Sequence, residues 1–189
     1  MKYKNYIFDC GNVLFSFSQR KLLDIYLEKE EDKEKLGSIL YRYWEVQDVY
    51  VSSEDYYEFC KNRLSKHLHE ACYNIIFHWD LWISKFQDIE DLIRKLKATG
   101  HKLYVISNMT SVFTKDHSKL PILEECFDGL IFSYEHKIAK PDTRIFDLLV
   151  NKYDLNKEEC IFIDDSLDNC KGSLEAGIKS YLFDKEKTL

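Results

Sequence analysis

Five short apolar runs punctuate the chain: YIFDC at 6–10, KLYVIS at 102–107, GLIFS at 129–133, CIFID at 160–164 and KSYLF at 179–183. Each is continuous rather than alternating, the pattern of parallel strands buried on both faces. Between them, apolar residues recur at helical spacing. Ile89, Leu92, Ile93 and Leu96 fall at i, i+3, i+4 and i+7, and Gly100 is placed to stop that helix. Residues 142–151 repeat the scheme with Ile145, Phe146, Leu148 and Leu149, and a third helix over 166–176 ends before Gly177. Strands alternating with helices predict an α/β fold on a doubly wound parallel sheet, with the functional site at the carboxyl ends of the strands.

The interval from 18 to 85 breaks the alternation and reads as helical throughout. Within it, SSEDYYEFCKNRL opens with Ser52 or Ser53 as an N-cap and acids in the first turn. A helical insertion directly after the first strand predicts a small cap over the site. The expected division is a core of 1–17 and 86–189 with a cap of 18–85. Tyr41, Tyr43, Trp44, Tyr56, Tyr57 and Phe59 are read as the cap's own core and its contact with the main domain.

Composition narrows the class without changing this layout. With 45% hydrophobic and 32% charged residues among 189, the chain reads as a soluble globular protein. A net charge of −6 offers no basic footprint for nucleic acid or for an anionic membrane. No apolar run approaches the roughly 18–20 residues of a membrane span, and the N-terminal MKYKNYIFDC meets an acid too early for a secretory signal. The six cysteines include no C-x-x-C pair and several sit in apolar patterns, so a reduced, cytoplasmic location is expected.

Chemistry gathers where the strands end. The first run ends at Asp9, the second at Ser107-Asn108 and the fourth at Asp164-Asp165, while Lys140 stands in KIAKPD between the third and fourth. Asp9, Asp164 and Asp165 supply the hard oxygen ligands that suit Mg²⁺. Lys140 and the Ser107 hydroxyl suit the oxygens of a phosphoryl group, whose transfer depends on electrostatic stabilisation. Each element alone has a plainer reading as a loop, a cap or a strand terminus. Four in this order, each at a strand end, are specific. His78 and the pair His67/His69 lack a third ligand at helical spacing and read as surface or packing residues.

These segments resemble the haloacid dehalogenase superfamily over nearly the whole chain, with FDCGNVL, VISNMT, KPD and FIDDSLDN standing as its four motifs. The resemblance implies a Rossmann-like core and a cap inserted after the first motif. It implies Asp9 as the nucleophile that forms an aspartyl-phosphate, Ser107 and Asn108 as the phosphate grip, and Lys140 as the charge stabiliser. Mg²⁺ would be held by Asp9, the Gly11 carbonyl, Asp164 and Asp165. The form D-x-G-N-V is similar to a branch that includes glucose-1-phosphate phosphatases. Three positions depart from the wider family: Gly11 replaces the second acid of the first motif, Lys137 stands where many relatives have glycine, and Asn169 where they often keep an acid.

Gly11 removes the group that protonates the leaving oxygen. General acid–base catalysis contributes about 10²–10⁴ in rate, or roughly 3–5 kcal/mol of barrier, so its loss favours substrates that leave easily. Asp48, His78 and Ser16 are the candidates for a substitute base. The expected function is therefore a Mg²⁺-dependent phosphatase acting on a small phosphorylated metabolite, sugar phosphates among them. Two alternatives stand beside it: carbon–halogen hydrolysis, which needs no proton on a departing halide, and a non-catalytic phospho-ligand binder.

Overall fold

The computed structural model describes residues 3–44 and 49–184. In chain order its strands are β1 (Asn5–Phe8), β2 (Phe15–Ser16), β3 (Ser84–Lys85), β4 (Lys102–Ser107), β5 (Gly129–Phe132), β6 (Cys160–Asp164) and β7 (Lys179–Leu182). Five of them form a parallel sheet in the order β5-β4-β1-β6-β7. They match the five apolar runs of the sequence to within one or two residues. Successive side chains alternate between two cores. Ile7, Ile106 and Phe162 pack on one side of the sheet, and Phe8, Val105 and Ile163 on the other. Each such side chain contributes about 1.5–3 kcal/mol by leaving water.

One strand departs from the expected burial. β7 is the sheet edge, with Tyr181 and Leu182 exposed, so its continuous apolar run does not mean two covered faces.

The sheet is flanked by α5 (Gln87–Ala98), α9 (Thr143–Tyr153) and α10 (Leu167–Glu175), the three helices anticipated from periodicity. Gly100 and Gly177 follow α5 and α10 with φ of +87° and +83°, the left-handed conformation that ends a helix. Three shorter helices have too few turns to show a period: α6 (Ser111–Lys115), α7 (Ile122–Cys126) and α8 (Ser133–His136).

Between β2 and β3 the chain forms α1 (Gln19–Tyr26), α2 (Glu30–Leu40), α3 (Ser53–Lys61) and α4 (His69–His78). Ser18 caps α1 by accepting from the Lys21 N–H, and Ser52 caps α3 by accepting from the Asp55 N–H. The Tyr56 hydroxyl donates to the Leu40 carbonyl and ties α3 to the end of α2. The helical reading of 18–85 fails at its last residues. Ser84–Lys85 is a strand, paired antiparallel with Phe15–Ser16, so the two ends of the α1–α4 segment lie side by side. Strands of two residues are too short to carry a sequence pattern.

Ser111, at the start of α6, accepts from the Ser53 N–H at 2.9 Å and donates to the Ser53 hydroxyl at 3.0 Å, which fastens α3 to α6. All six cysteines are buried and free. Among the described residues, no helix is long and apolar enough to cross a membrane.

Candidate active site

Adjacent parallel strands deliver the polar residues to one sheet edge because β4, β1 and β6 end at nearly the same level. The Asp9 N–H still bonds to Ile163 at 2.9 Å, so the carboxylate of Asp9 emerges where the ladder closes. Its Oδ1 takes two short bonds, from the Ser107 hydroxyl at 2.6 Å and from Lys140 Nζ at 2.6 Å. Lys140 Nζ also reaches Asp164 Oδ2 at 2.7 Å. Asp164 is in turn held by the Ser166 N–H at 2.8 Å and by Asn169 Nδ2 at 3.1 Å. Asp9, Ser107, Lys140 and Asp164 are all buried.

Lys140 reaches this position because its backbone is clamped. The Asn108 side chain accepts from the Lys140 N–H at 2.9 Å and donates to the Lys140 carbonyl at 3.1 Å. Asn108 therefore has its side-chain amide engaged with the lysine loop. Gly172 of α10 supplies the space on the far side of this loop. A Cβ there would lie 2.1 Å from the Pro141 carbonyl oxygen. Lys137, the departure from glycine, adopts a left-handed φ of 57° at the end of α8, a conformation glycine takes without strain. Its ammonium lies 3.5 Å from the centre of the Tyr134 ring.

After Asp9 the chain turns through Gly11 and Asn12, and Asn12 is left-handed with φ 55°. The turn is closed by the Asn12 N–H to the Phe15 carbonyl and by the Phe15 N–H to the Cys10 carbonyl. Gly11's own carbonyl lies outside both bonds. Asn12 Oδ1 accepts from the Phe17 N–H at 2.9 Å, and Nδ2 donates to Asp165 Oδ2 at 3.1 Å. This asparagine thus ties the turn to the end of β6.

Carboxylate oxygens of Asp9, Asp164 and Asp165 lie within 4.8 Å of one another. Among the described residues, these three carboxylates face one ammonium, that of Lys140, so with all three ionised two negative charges stand uncompensated. An all-oxygen set with that deficit fits a hard dication such as Mg²⁺. Burial raises the Asp9 carboxyl above the ordinary carboxylate range; Lys140 pulls against the rise and Asp164 adds to it. For Lys140, burial opposes the ammonium, but the carboxylates of Asp9 and Asp164 outweigh it and hold the group above its usual value.

Over this floor lies a cavity of about 120 Å³. Its upper wall is Phe15, Phe17, Trp44, Trp79 and Met109, with Thr110 beside them. Asn169 lines the floor; Ser16 and His78 are not among the lining residues. His78 is exposed and packs edge-on against Tyr73. Asp48 lies outside the described residues. His67 pairs with Asp32 and His69 bonds to the Leu64 carbonyl, so both are structural. Of the aromatic set assigned to the cap, Tyr56 is core and Trp44 belongs to the cavity wall, while the side chain of Tyr43 lies outside the description.

A sequence model of the haloacid dehalogenase-like hydrolases matches residues 3–177. The chain belongs to this family. It is 31% identical over 104 residues to mouse acyl-CoA dehydrogenase family member 10, covering 55% of the chain and 10% of that protein. It is 24% identical over 139 residues to an (S)-2-haloacid dehalogenase of Pseudomonas putida, covering 74% of the chain and 60% of the dehalogenase. The chain thus spans less than two thirds of the length of either relative. A HAD family enzyme of Bacteroides thetaiotaomicron, solved in complex with magnesium and inorganic phosphate, shares the fold with a TM-score of 0.69 and 24% identity. The match covers 95% of this chain and 93% of that one.

Proposed function

We propose that this hydrolase is a Mg²⁺-dependent phosphatase that works through an aspartyl-phosphate on a small phosphorylated metabolite. The observation that carries the reading is the buried Asp9–Lys140–Asp164 arrangement, with Asp165 completing a carboxylate set for a dication. In this reading an Asp9 oxygen attacks phosphorus, the bond from phosphorus to the leaving oxygen breaks, and that oxygen takes its proton from solvent. Water then attacks the same phosphorus, phosphate departs and the carboxylate is restored. Lys140 and Ser107 hold the nucleophile and face the phosphoryl oxygens. Asn108 positions Lys140 and offers its main-chain N–H to phosphate. Bound Mg²⁺, held by Asp9, the Gly11 carbonyl, Asp164 and Asp165, would neutralise phosphoryl charge. Residues 18–85 act as the cap that excludes water.

The cavity of about 120 Å³ is well below the roughly 300–1,000 Å³ of sites for drug-sized ligands, which supports a small substrate. Gly11 supports one that leaves readily: an anomeric, acyl or aryl phosphate. Phosphate release that requires Mg²⁺, stops with EDTA and leaves acid-stable label on Asp9 in quenched turnover would establish the reading. Equal kcat/KM for glucose 1-phosphate and glucose 6-phosphate would count against the leaving-group argument. A second reading, carbon–halogen hydrolysis, is favoured by Gly11, since halide departs without a proton. It predicts chloride release from a 2-chloroacid that survives EDTA.

A further inference from the structure

We propose that Asn12 is a positioning residue that couples cation binding at Asp165 to the placement of the α1–α4 segment. The inference deepens the phosphatase reading and rests on its dication site.

The first support is the unequal holding of the three carboxylates. Asp9 is fixed by Ser107 and Lys140, and Asp164 by Lys140, the Ser166 N–H and Asn169. Both are buried. Asp165 is exposed, and among the described residues its side-chain donor is Asn12, whose Nδ2 stands 3.1 Å from Oδ2. With all three carboxylates ionised, like charge pushes Asp165 outward, and this bond opposes its departure.

The second support is the other end of the same amide. Asn12 Oδ1 accepts from the Phe17 N–H at 2.9 Å. A main-chain N–H can only donate and an ionised carboxylate can only accept, so the two contacts fix which end of the amide faces which. Phe17 stands directly before Ser18, the N-cap of α1. Its ring lies edge-on to Trp79, which follows α4, and 6.1 Å from the Trp44 ring. One side chain therefore joins the end of β6 to the entry of the α1–α4 segment and, through Phe17, to its far end.

The third support is the residue type. Asn12 has a φ of 55°, where glycine sits without strain and asparagine is tolerated. What asparagine adds to glycine there is the pair of bonds, one of them spanning 153 positions of sequence. A dication that ligates Asp165 pins the carboxylate, the carboxylate holds the amide, and the amide holds the Phe17 N–H. Linkage makes the effect reciprocal: whatever keeps Phe17 in this place also tightens cation binding.

Two measurements on the full chain test the coupling. In the wild type, saturating Mg²⁺ should slow hydrogen exchange of the Phe17 amide, read by NMR, at least about fivefold. An unchanged rate overturns the proposal. Asn12→Gly suits the turn and removes both bonds, and calorimetric titration should show its Mg²⁺ affinity weakened about tenfold, the scale of a lost outer-shell partner. All three tryptophans, Trp44, Trp79 and Trp82, lie between β2 and β3, so acrylamide quenching of their fluorescence reports on that segment alone. Mg²⁺ should reduce the quenching in the wild type and leave it unaltered in Asn12→Gly. A merely structural asparagine would change stability without altering Mg²⁺ affinity. Wild-type affinity in Asn12→Gly, or a tryptophan response that survives the substitution, overturns the coupling while the phosphatase reading stands. Should the variant fail to fold, the wild-type exchange rate decides alone. Wild-type protein that binds no Mg²⁺ overturns the phosphatase reading, and the coupling falls with it.

Discussion

The floor and the wall of the cavity are built on opposite terms. At the strand ends, Asp9, Ser107, Lys140, Asp164 and Asn169 are joined by bonds of 2.6–3.1 Å. In the wall, ring packs on ring. A wired floor fixes charges before a substrate arrives, which is the requirement for stabilising phosphoryl transfer without reorganisation. Among the described residues the wall is mostly aromatic and carries no charged side chain, so it acts on the shape and polarity of what is bound. In the proposed reading, reaction type and substrate choice therefore rest on different residues, and substitutions should separate them.

The largest effect should come from the floor. Asp9→Asn keeps the size of the side chain and removes the proposed nucleophile, and phosphate release should fall on the order of 10⁴-fold or more, while binding of an aromatic phosphonate against the wall persists. Loss of both together would mean that the two regions are not separable. Lys140→Met leaves the Asp9 and Asp164 carboxylates buried without their shared ammonium. Urea denaturation should show a loss of about 3–5 kcal/mol, and Mg²⁺ should restore part of it by taking the place of the lost charge.

Gly172→Ala is a smaller perturbation delivered from behind. With a Cβ 2.1 Å from the Pro141 oxygen, the lysine loop must shift, costing about 1–3 kcal/mol and lowering kcat more than it raises KM. An unchanged kcat would show that the loop has slack. Ser111→Ala removes the link between α3 and α6 and strands the Ser53 N–H. A cost of about 1 kcal/mol should appear in the thermal midpoint, with no change in the acid–base behaviour of the floor.

The pH dependence sharpens the same contrast. Burial raises the Asp9 carboxyl, so titration of the protein without Mg²⁺ should show a carboxyl midpoint above the ordinary aspartate value, and added Mg²⁺ should lower it. A midpoint at the ordinary value would contradict the burial argument. For Lys140 the folded value is raised, so its contribution to stability is fully present below the unfolded lysine value and is lost as pH rises through the folded one. Lys140→Met should lack that alkaline loss.

The floor was legible because its residues obey a positional rule: each follows an apolar run or stands in a loop between two of them. Asp9, Ser107 and Asp164 could be placed at one sheet edge once the runs were read as parallel strands. The wall was not legible. Phe15, Phe17 and Trp79 are ordinary apolar residues in sequence, and only the packed fold shows them lining one cavity. Asn108 illustrates a subtler gap. Its place in the second motif was clear, but its engagement with the Lys140 backbone depends on two loops 32 residues apart meeting in space. Gly172 carried no signal either, since its role is the absence of a Cβ beneath another loop. The ribbon of β2 and β3 is set by tertiary pairing of two dipeptides that no local pattern marks.

The six buried thiols give the protein a built-in clock. A water-soluble thiol reagent reaches a buried sulfur only when the surrounding structure opens, so each labelling rate measures the free energy or rate of that opening. Cys60 and Cys72 lie in the inserted helices, whereas Cys160 lies in the central sheet and Cys170 in the helix that follows it. Two sets of sulfurs, read by mass as a function of time, would report how often the roof lifts while the foundation stays shut.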